Sequence, residues 1–247
     1  MGGTLARCSA EGMRTVVVTC TRGDLGTVFE PGLFGQDVAT LRASELECAA
    51  ARLGVSRVVQ LGFADSGIPV YDRPEAFSAI DPEDASTRLL RVLEAERPSV
   101  VVAYDETGGY PHPDHVRAHA IAVAAYRRFL SMGATARLYF VRFPITWSRE
   151  FVRVLRGHGI DAPGSAPAGA DAGPDVVEIG VPDELAPIAF DVSGFVSNKL
   201  AALSCHASQF PPDHFLRRMP PDVARRLWAT EFFSLECAPR GDHDCAH

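Results

Sequence analysis

Short β-branched runs alternate with helix-spaced apolar segments from residue 15 to residue 143, and few folds accommodate that order. Thr15-Val16-Val17-Val18-Thr19 has no polar alternation, so it reads as a parallel strand covered on both faces. Residues 58–61, 99–104 and 138–143 read as the next three strands. Between the first two, Leu41, Leu46, Ala49, Ala50 and Leu53 fall at helical spacing, and Gly54 ends that helix. Residues 84–96 form an amphipathic helix closed before Pro98, and residues 113–130 form another. The order predicts an α/β fold, Rossmann-like, with a mostly parallel sheet and helices on both faces. Such sheets bind ligands outside the carboxyl ends of their strands. The loops at residues 21–24, 64–67 and 105–115 all lie there, so they should converge on one cleft.

Further on, residues 188–192 read as a strand and 193–206 as a helix. Pro211-Pro212-Asp213-His214 breaks the chain before a helix near 222–230 and a short apolar strand near 232–235. Residues 161–175, rich in Ala, Pro, Gly and Asp, read as a flexible loop, and 239–247 as a disordered tail. The 247 residues suit one sizeable domain, expected over residues 1–238.

Several classes are excluded. The net charge of −7 argues against a nucleic-acid partner, because phosphate binding needs a basic patch. No apolar run approaches the ~18–20 residues that span a bilayer. The opening Met1-Gly2-Gly3-Thr4 has neither the basic nor the apolar region of a signal peptide, so the expected location is cytoplasmic. The six cysteines show no C-x-x-C, and a disulfide framework is not expected in such a chain. Cys8, Cys20, Cys48 and Cys205 read as buried reduced thiols. Neither G-x-G-x-x-G after a strand nor G-x-x-x-x-G-K-[ST] occurs, which argues against a nucleotide-dependent enzyme.

The chemistry concentrates in Gly108-Gly109-Tyr110-Pro111-His112-Pro113-Asp114-His115-Val116-Arg117-Ala118-His119, which follows a strand and opens a helix. Two glycines permit a tight turn, and Pro113 suits a first helical turn. His115 and His119 are four apart and share a helix face, with His112 in the loop above. Neutral imidazole is a good zinc ligand, and a nearby carboxylate can fix its tautomer. By spacing alone this is either a metal or acid/base site or a solvated histidine-rich loop. Arg42 and Glu45 read equally as site residues or an exposed helix pair, and Asp65-Ser66-Gly67 as a site loop or an ordinary turn.

The stretch around residues 108–115 resembles the second signature of the LmbE-like (PIG-L) family of zinc-dependent N-deacetylases, which includes the deacetylase and amidase of mycothiol metabolism. Other segments resemble family elements in the expected order. Gly2-Gly3-Thr4-Leu5-Ala6 matches a helix start, and Val18-Thr19-Cys20-Thr21-Arg22-Gly23-Asp24 matches a T-x-G-E loop with Asp for Glu. Arg42-x-x-Glu45-Leu46 matches a helix, Leu61-Gly62-Phe63-Ala64-Asp65-Ser66-Gly67 a substrate loop, and Lys199-x-x-Ala202-Leu203-x-x-His206-x-Ser208-Gln209 a C-terminal element.

The resemblance implies a metal-dependent hydrolase that removes an acyl group, acetyl above all, from the amide nitrogen of an amino-sugar or glycoconjugate substrate. One divalent metal is implied, zinc with iron as the alternative, and His115 would be a ligand. His112 would stabilise the oxyanion or protonate the leaving amine, Asp114 would orient or tune an imidazole, and Tyr110 would sit over the carbonyl. Arg42, Asp65, Arg22 and His206 would hold the substrate. No nucleic acid or membrane partner is implied, and a homo-oligomer is left open. The family's His-Pro-Asp-Asp-Glu motif, which carries the other metal ligands and the general base, does not occur in these residues. The resemblance therefore carries two further expectations: a native start upstream of Met1, and a sheet lacking its first strand. The competing reading is a catalytically inactive member that binds a sugar-like ligand.

Overall fold

The computed structural model describes residues 1–67, 73–110, 112–160 and 180–237. The loop expected at 161–175 and the tail expected at 239–247 lie outside the described residues. The first half alternates as its apolar spacing requires: α1 (Gly2–Ala10), β1 (Val16–Thr21), α2 (Val38–Arg52), β2 (Arg57–Phe63), α3 (Pro82–Glu96), β3 (Val100–Tyr104), α4 (Pro113–Ser131) and β4 (Arg137–Arg142). Local chemistry marks the helix starts. Asp37 accepts from the Thr40 amide at 2.9 Å to cap α2, and Asp81, followed by Pro82, accepts from the Glu83 amide at 2.8 Å to cap α3. Arg97, at φ 46°, ends α3 just before Pro98.

The second half comprises α5 (Ile145–Gly157), β5 (Ile188–Asp191), α6 (Val196–Ser204), α7 (Phe215–Arg218), α8 (Pro221–Leu227) and β6 (Thr230–Cys237). The sequence reading missed α5, although Trp147, Phe151, Val154 and Leu155 fall on one helical face and pack against Val196, Leu227 and Trp228. It also stretched the last helix to residue 230; Thr230 instead opens β6.

β1 pairs with β2 in parallel, and β3 with β4 in parallel. β6 runs antiparallel between β4 and β5. The expected mostly parallel sheet thus holds, except that β6 runs against both of its neighbours. Among the described residues the sheet is also in two pieces, β1–β2 and β3–β4–β6–β5, with no ladder joining β1 to β3. Helices span that break. α4 gives Ile121 to a core with Leu61, Phe63, Phe77 and Ala85, and gives Ala125, Tyr126 and Phe129 to a core with Leu138 and Phe140. Leu89 of α3 packs against both. Phe77, Ile121 and Leu155 are fully buried, each worth roughly 1.5–3 kcal/mol of burial. At β3, Val100 and Tyr104 remain exposed, unlike side chains of a central strand. Among the described residues no helix is long and apolar enough to cross a membrane.

One cysteine expectation is overturned. Cys48 on α2 and Cys205 after α6 form a disulfide, with Cα atoms 5.8 Å apart. These residues are 157 positions apart and meet because Ala49 and Leu53 of α2 pack against Ala202 of α6. That pairing is a tertiary event, which local cysteine spacing does not encode. Cys8 and Cys20 are free thiols, half-buried rather than buried. At the other end of α1, Glu231 of β6 accepts from the Gly3 amide at 3.1 Å, the Thr4 amide at 2.8 Å and the Thr4 hydroxyl at 2.7 Å. Lys199 pairs with the same carboxylate at 2.6 Å.

Candidate active site

The loop from β3 to α4 is built on Asp105, which is buried. Its Oδ1 accepts from the Thr107 amide at 3.0 Å, the Thr107 hydroxyl at 2.6 Å and the Gly109 amide at 3.1 Å. Its Oδ2 pairs with Arg142 of β4 at 3.2 Å. Gly108 follows at φ 74°, and a Cβ there would lie 2.6 Å from the Cβ of His115, so only glycine fits.

This loop sets two imidazoles in opposite states. The Gly108 carbonyl contacts His115 Nδ1 at 2.9 Å. A carbonyl only accepts, so Nδ1 carries the proton and Nε2 of the neutral ring is a bare lone pair. Burial lowers the His115 pKa; the Gly108 contact and the Asp114 charge oppose it, and His112 adds to it. At His112, which caps α4, Nδ1 accepts from the Asp114 amide at 3.1 Å, so the proton sits on Nε2. Tyr104 stacks on His115 with centroids 4.4 Å apart, and Tyr110 meets it edge-on at 4.7 Å. His119 contacts the Tyr104 carbonyl through Nδ1 at 3.0 Å and lies against Phe140.

The Asp114 carboxylate reaches neither imidazole by hydrogen bond. It accepts from the Ser66 amide at 3.1 Å and from the Ser66 hydroxyl, joining the start of α4 to the loop after β2. Asp114 therefore acts on His112 through its backbone and on His115 through space.

Asp65, next to Ser66, is buried. It accepts from the Gly67 amide at 3.0 Å and the Leu25 amide at 3.3 Å. Across the cleft, Arg42 of α2 lies inside the loop after β1. Glycine at position 26 leaves room for it, because a Cβ there would come 2.0 Å from an Arg42 guanidinium nitrogen. Arg42 donates to the Thr27 carbonyl at 3.3 Å, and its buried Nε has no hydrogen-bond partner among the described residues. Burial lowers its pKa against the pull of Asp65, Glu45 and Asp24. Tyr110 links the two halves electrically: burial, then the Asp114 and Asp65 charges, raise its hydroxyl pKa. His206 lies under the influence of Glu45 and Arg42, with its pKa lowered by burial. Arg22, expected at the cleft, is exposed, and its charge acts on Asp37 at the start of α2.

Glu45 corrects the reading of an exposed pair with Arg42. It is 5% exposed and hydrogen-bonded to Ser208 and Gln209. The R-x-x-E spacing put it on the cleft side of α2, but its partners lie some 160 residues away and leave no local trace. Tyr104 and Asp105 were also missed as site residues, being read as the end of a strand and part of a loop.

The residues present do not fit a catalytic zinc by themselves. Such a site uses three protein ligands. His115 offers one nitrogen, and among the described residues no group of three or more His, Cys, Asp or Glu is placed to hold a metal ion.

Comparison with known proteins bears on this cleft. Residues 1–126 match the family model described as GlcNAc-PI de-N-acetylase (PIG-L). A 1D-myo-inositol 2-acetamido-2-deoxy-alpha-D-glucopyranoside deacetylase from Acidothermus cellulolyticus is 32% identical, over 98% of this chain and 86% of its own length. Among solved structures, the N,N'-diacetylchitobiose deacetylase of Pyrococcus horikoshii superposes with TM-score 0.59 at 22% identity, over 95% of this chain and 77% of its own. GalB, the 4-carboxy-2-hydroxymuconate hydratase of a Pseudomonas, superposes equally well, with TM-score 0.59 at 19% identity, over 99% of this chain and 92% of its own. The fold therefore hosts more than one chemistry, and the site residues must carry the functional argument.

Proposed function

Because the chain belongs to the GlcNAc-PI de-N-acetylase (PIG-L) family, we propose that it is an N-deacetylase that hydrolyses the acetamide of an amino sugar, with a glucosaminyl-inositol type of glycoside as its substrate class. The observation that carries this reading is the pair of opposite tautomers at His112 and His115. A deacetylase needs a hydrogen-bond donor for the developing oxyanion and a neutral nitrogen ligand beside it. His112 supplies Nε2–H and His115 an Nε2 lone pair.

In this reading His112 hydrogen-bonds the amide oxygen as the carbonyl carbon becomes tetrahedral, and the proton released by the attacking water passes to the nitrogen as the C–N bond breaks. Tyr110, whose raised pKa keeps its hydroxyl protonated at neutral pH, is a second donor. Water adds across the amide, leaving acetate and a free amine. Arg42 and Asp65 hold sugar hydroxyls, and His206 extends that wall. Metal dependence belongs to the proposal: His115 would be one ligand of zinc, or of iron in its place, and the ion would polarise the amide carbonyl. Two ligands besides His115 are required.

The test is release of free amine from an N-acetylglucosaminyl-inositol, read by an amine-reactive fluorophore, with zinc or ferrous iron supplied. Release that disappears in His115→Ala supports the proposal; undiminished release in that variant sinks it. A second reading, sugar binding without turnover, is favoured by the lack of a three-ligand set among the described residues. It predicts measurable binding with no amine released under any metal.

A further inference from the structure

Arg42, Glu45 and Cys48 are spaced i, i+3 and i+6 along α2, so they form one row on a single face. Each member of the row holds something different. Arg42 lies in the cleft, under the loop containing Gly23 and Gly26. Cys48 is bonded to Cys205. Glu45, between them, accepts from the Ser208 amide at 2.6 Å, the Ser208 hydroxyl at 2.8 Å and the Gln209 side-chain amide at 3.2 Å. The same Gln209 nitrogen donates to His206 Nδ1 at 3.2 Å. Ser208 is fully buried, and its carbonyl accepts from the Phe29 amide at 2.8 Å, in the loop that covers Arg42. Glu45 thus reaches His206 through Gln209 and the cover of Arg42 through Ser208.

A buried carboxylate is a costly way to join a helix to a turn, because an apolar contact would do so without desolvating a charge. It is well used where donor geometry must be fixed, since hydrogen bonds to an ionised oxygen are short and directional. We infer that Glu45 is the positioning residue of the substrate wall: it fixes the 205–209 turn on α2 so that His206 and Arg42 address the same sugar. This rests on the amino-sugar reading of the cleft. The adjacent disulfide makes the same joint covalently, so loss of Glu45 leaves the turn attached but misaligned.

The experiment uses the full chain and its Glu45→Ala and Glu45→Gln variants, all with the disulfide intact. Affinity for N-acetylglucosamine is measured by calorimetry, and amide exchange by mass spectrometry. Expected are an affinity loss of about tenfold in Glu45→Ala and a smaller loss in Glu45→Gln, which keeps one acceptor oxygen. Exchange should quicken at residues 205–209 and stay unchanged over α4. Unchanged affinity in both variants overturns the inference, even if the turn loosens, because Glu45 would then be structural only. If Glu45→Ala does not fold, Glu45→Gln decides alone. If the parent chain binds no N-acetylated amino sugar, the functional reading falls; unchanged exchange at 205–209 in the variants would remove the positioning role as well.

Discussion

His112 and His115 sit one helical turn apart and are polarised in opposite senses: the first accepts at Nδ1 from the Asp114 amide, the second donates at Nδ1 to the Gly108 carbonyl. Two side chains of one type are thereby given distinct chemical roles by backbone groups alone. Replacing His115 by Ala should abolish amine release. Replacing His112 by Ala should lower turnover by about 10²–10³-fold, the usual worth of one oxyanion donor, with substrate affinity nearly kept. Steady-state kinetics on both variants separates the two roles, and equal losses in affinity would refute the division.

Gly26 is small because Arg42 fills the space a side chain would need. Its φ is not left-handed, so Gly26→Ala adds bulk without backbone strain. The methyl should displace the guanidinium and weaken sugar binding by about tenfold, the same loss expected of Arg42→Ala, while the melting temperature barely moves. Calorimetry on both variants checks this; wild-type affinity in Gly26→Ala would mean that Arg42 does not touch the sugar.

The Cys48–Cys205 bond closes a separation of 157 residues, for which typical stabilisation is about 2–4 kcal/mol. Reductant should therefore lower the melting temperature of the wild type and leave a Cys48→Ser/Cys205→Ser variant unaffected. Mass spectrometry of the unreduced digest should contain a linked Cys48–Cys205 peptide. Its absence would exclude the bond directly.

The Glu231 carboxyl is nearly buried. Burial alone would raise its pKa, but Lys199 and the Thr4 donors pull it down, below its ordinary value near 4.5. A carboxyl depressed in the folded state contributes stability that is fully present above its unfolded pKa and is lost as pH falls through the lower folded value. Acid denaturation followed by circular dichroism should show this loss, and Glu231→Gln should flatten it while lowering stability at neutral pH. An unchanged acid profile would remove Glu231 from the account.

What the sequence disclosed follows from which interactions are local. β1 to β4 and the helices between them were legible because periodicity is written within each segment, and the convergence of residues 64–67 with 105–115 follows from parallel strand order. The direction of β6 was not legible, since a strand reads the same either way until its partner is known. Glu45 was weighed as an exposed charge because Ser208 and Gln209, which bury it, lie far along the chain. Arg22 illustrates the converse: a motif position placed it at the cleft, while its side chain stays in solvent beside Asp37.

The break between β1 and β3 has a mechanical meaning for the cleft. His112 and His115 ride on the sheet containing β3, whereas Asp65 and the loop over Arg42 ride on β1 and β2. Among the described residues no backbone ladder fixes the distance between these banks. Across the mouth, that gauge is the clasp of Ser66 on Asp114, with α3 and α4 as the flooring beneath it. A ligand wedged between the banks would press on the Ser66 amide and hydroxyl at Asp114 and on the helix cores behind them, and among the described residues on no strand pairing.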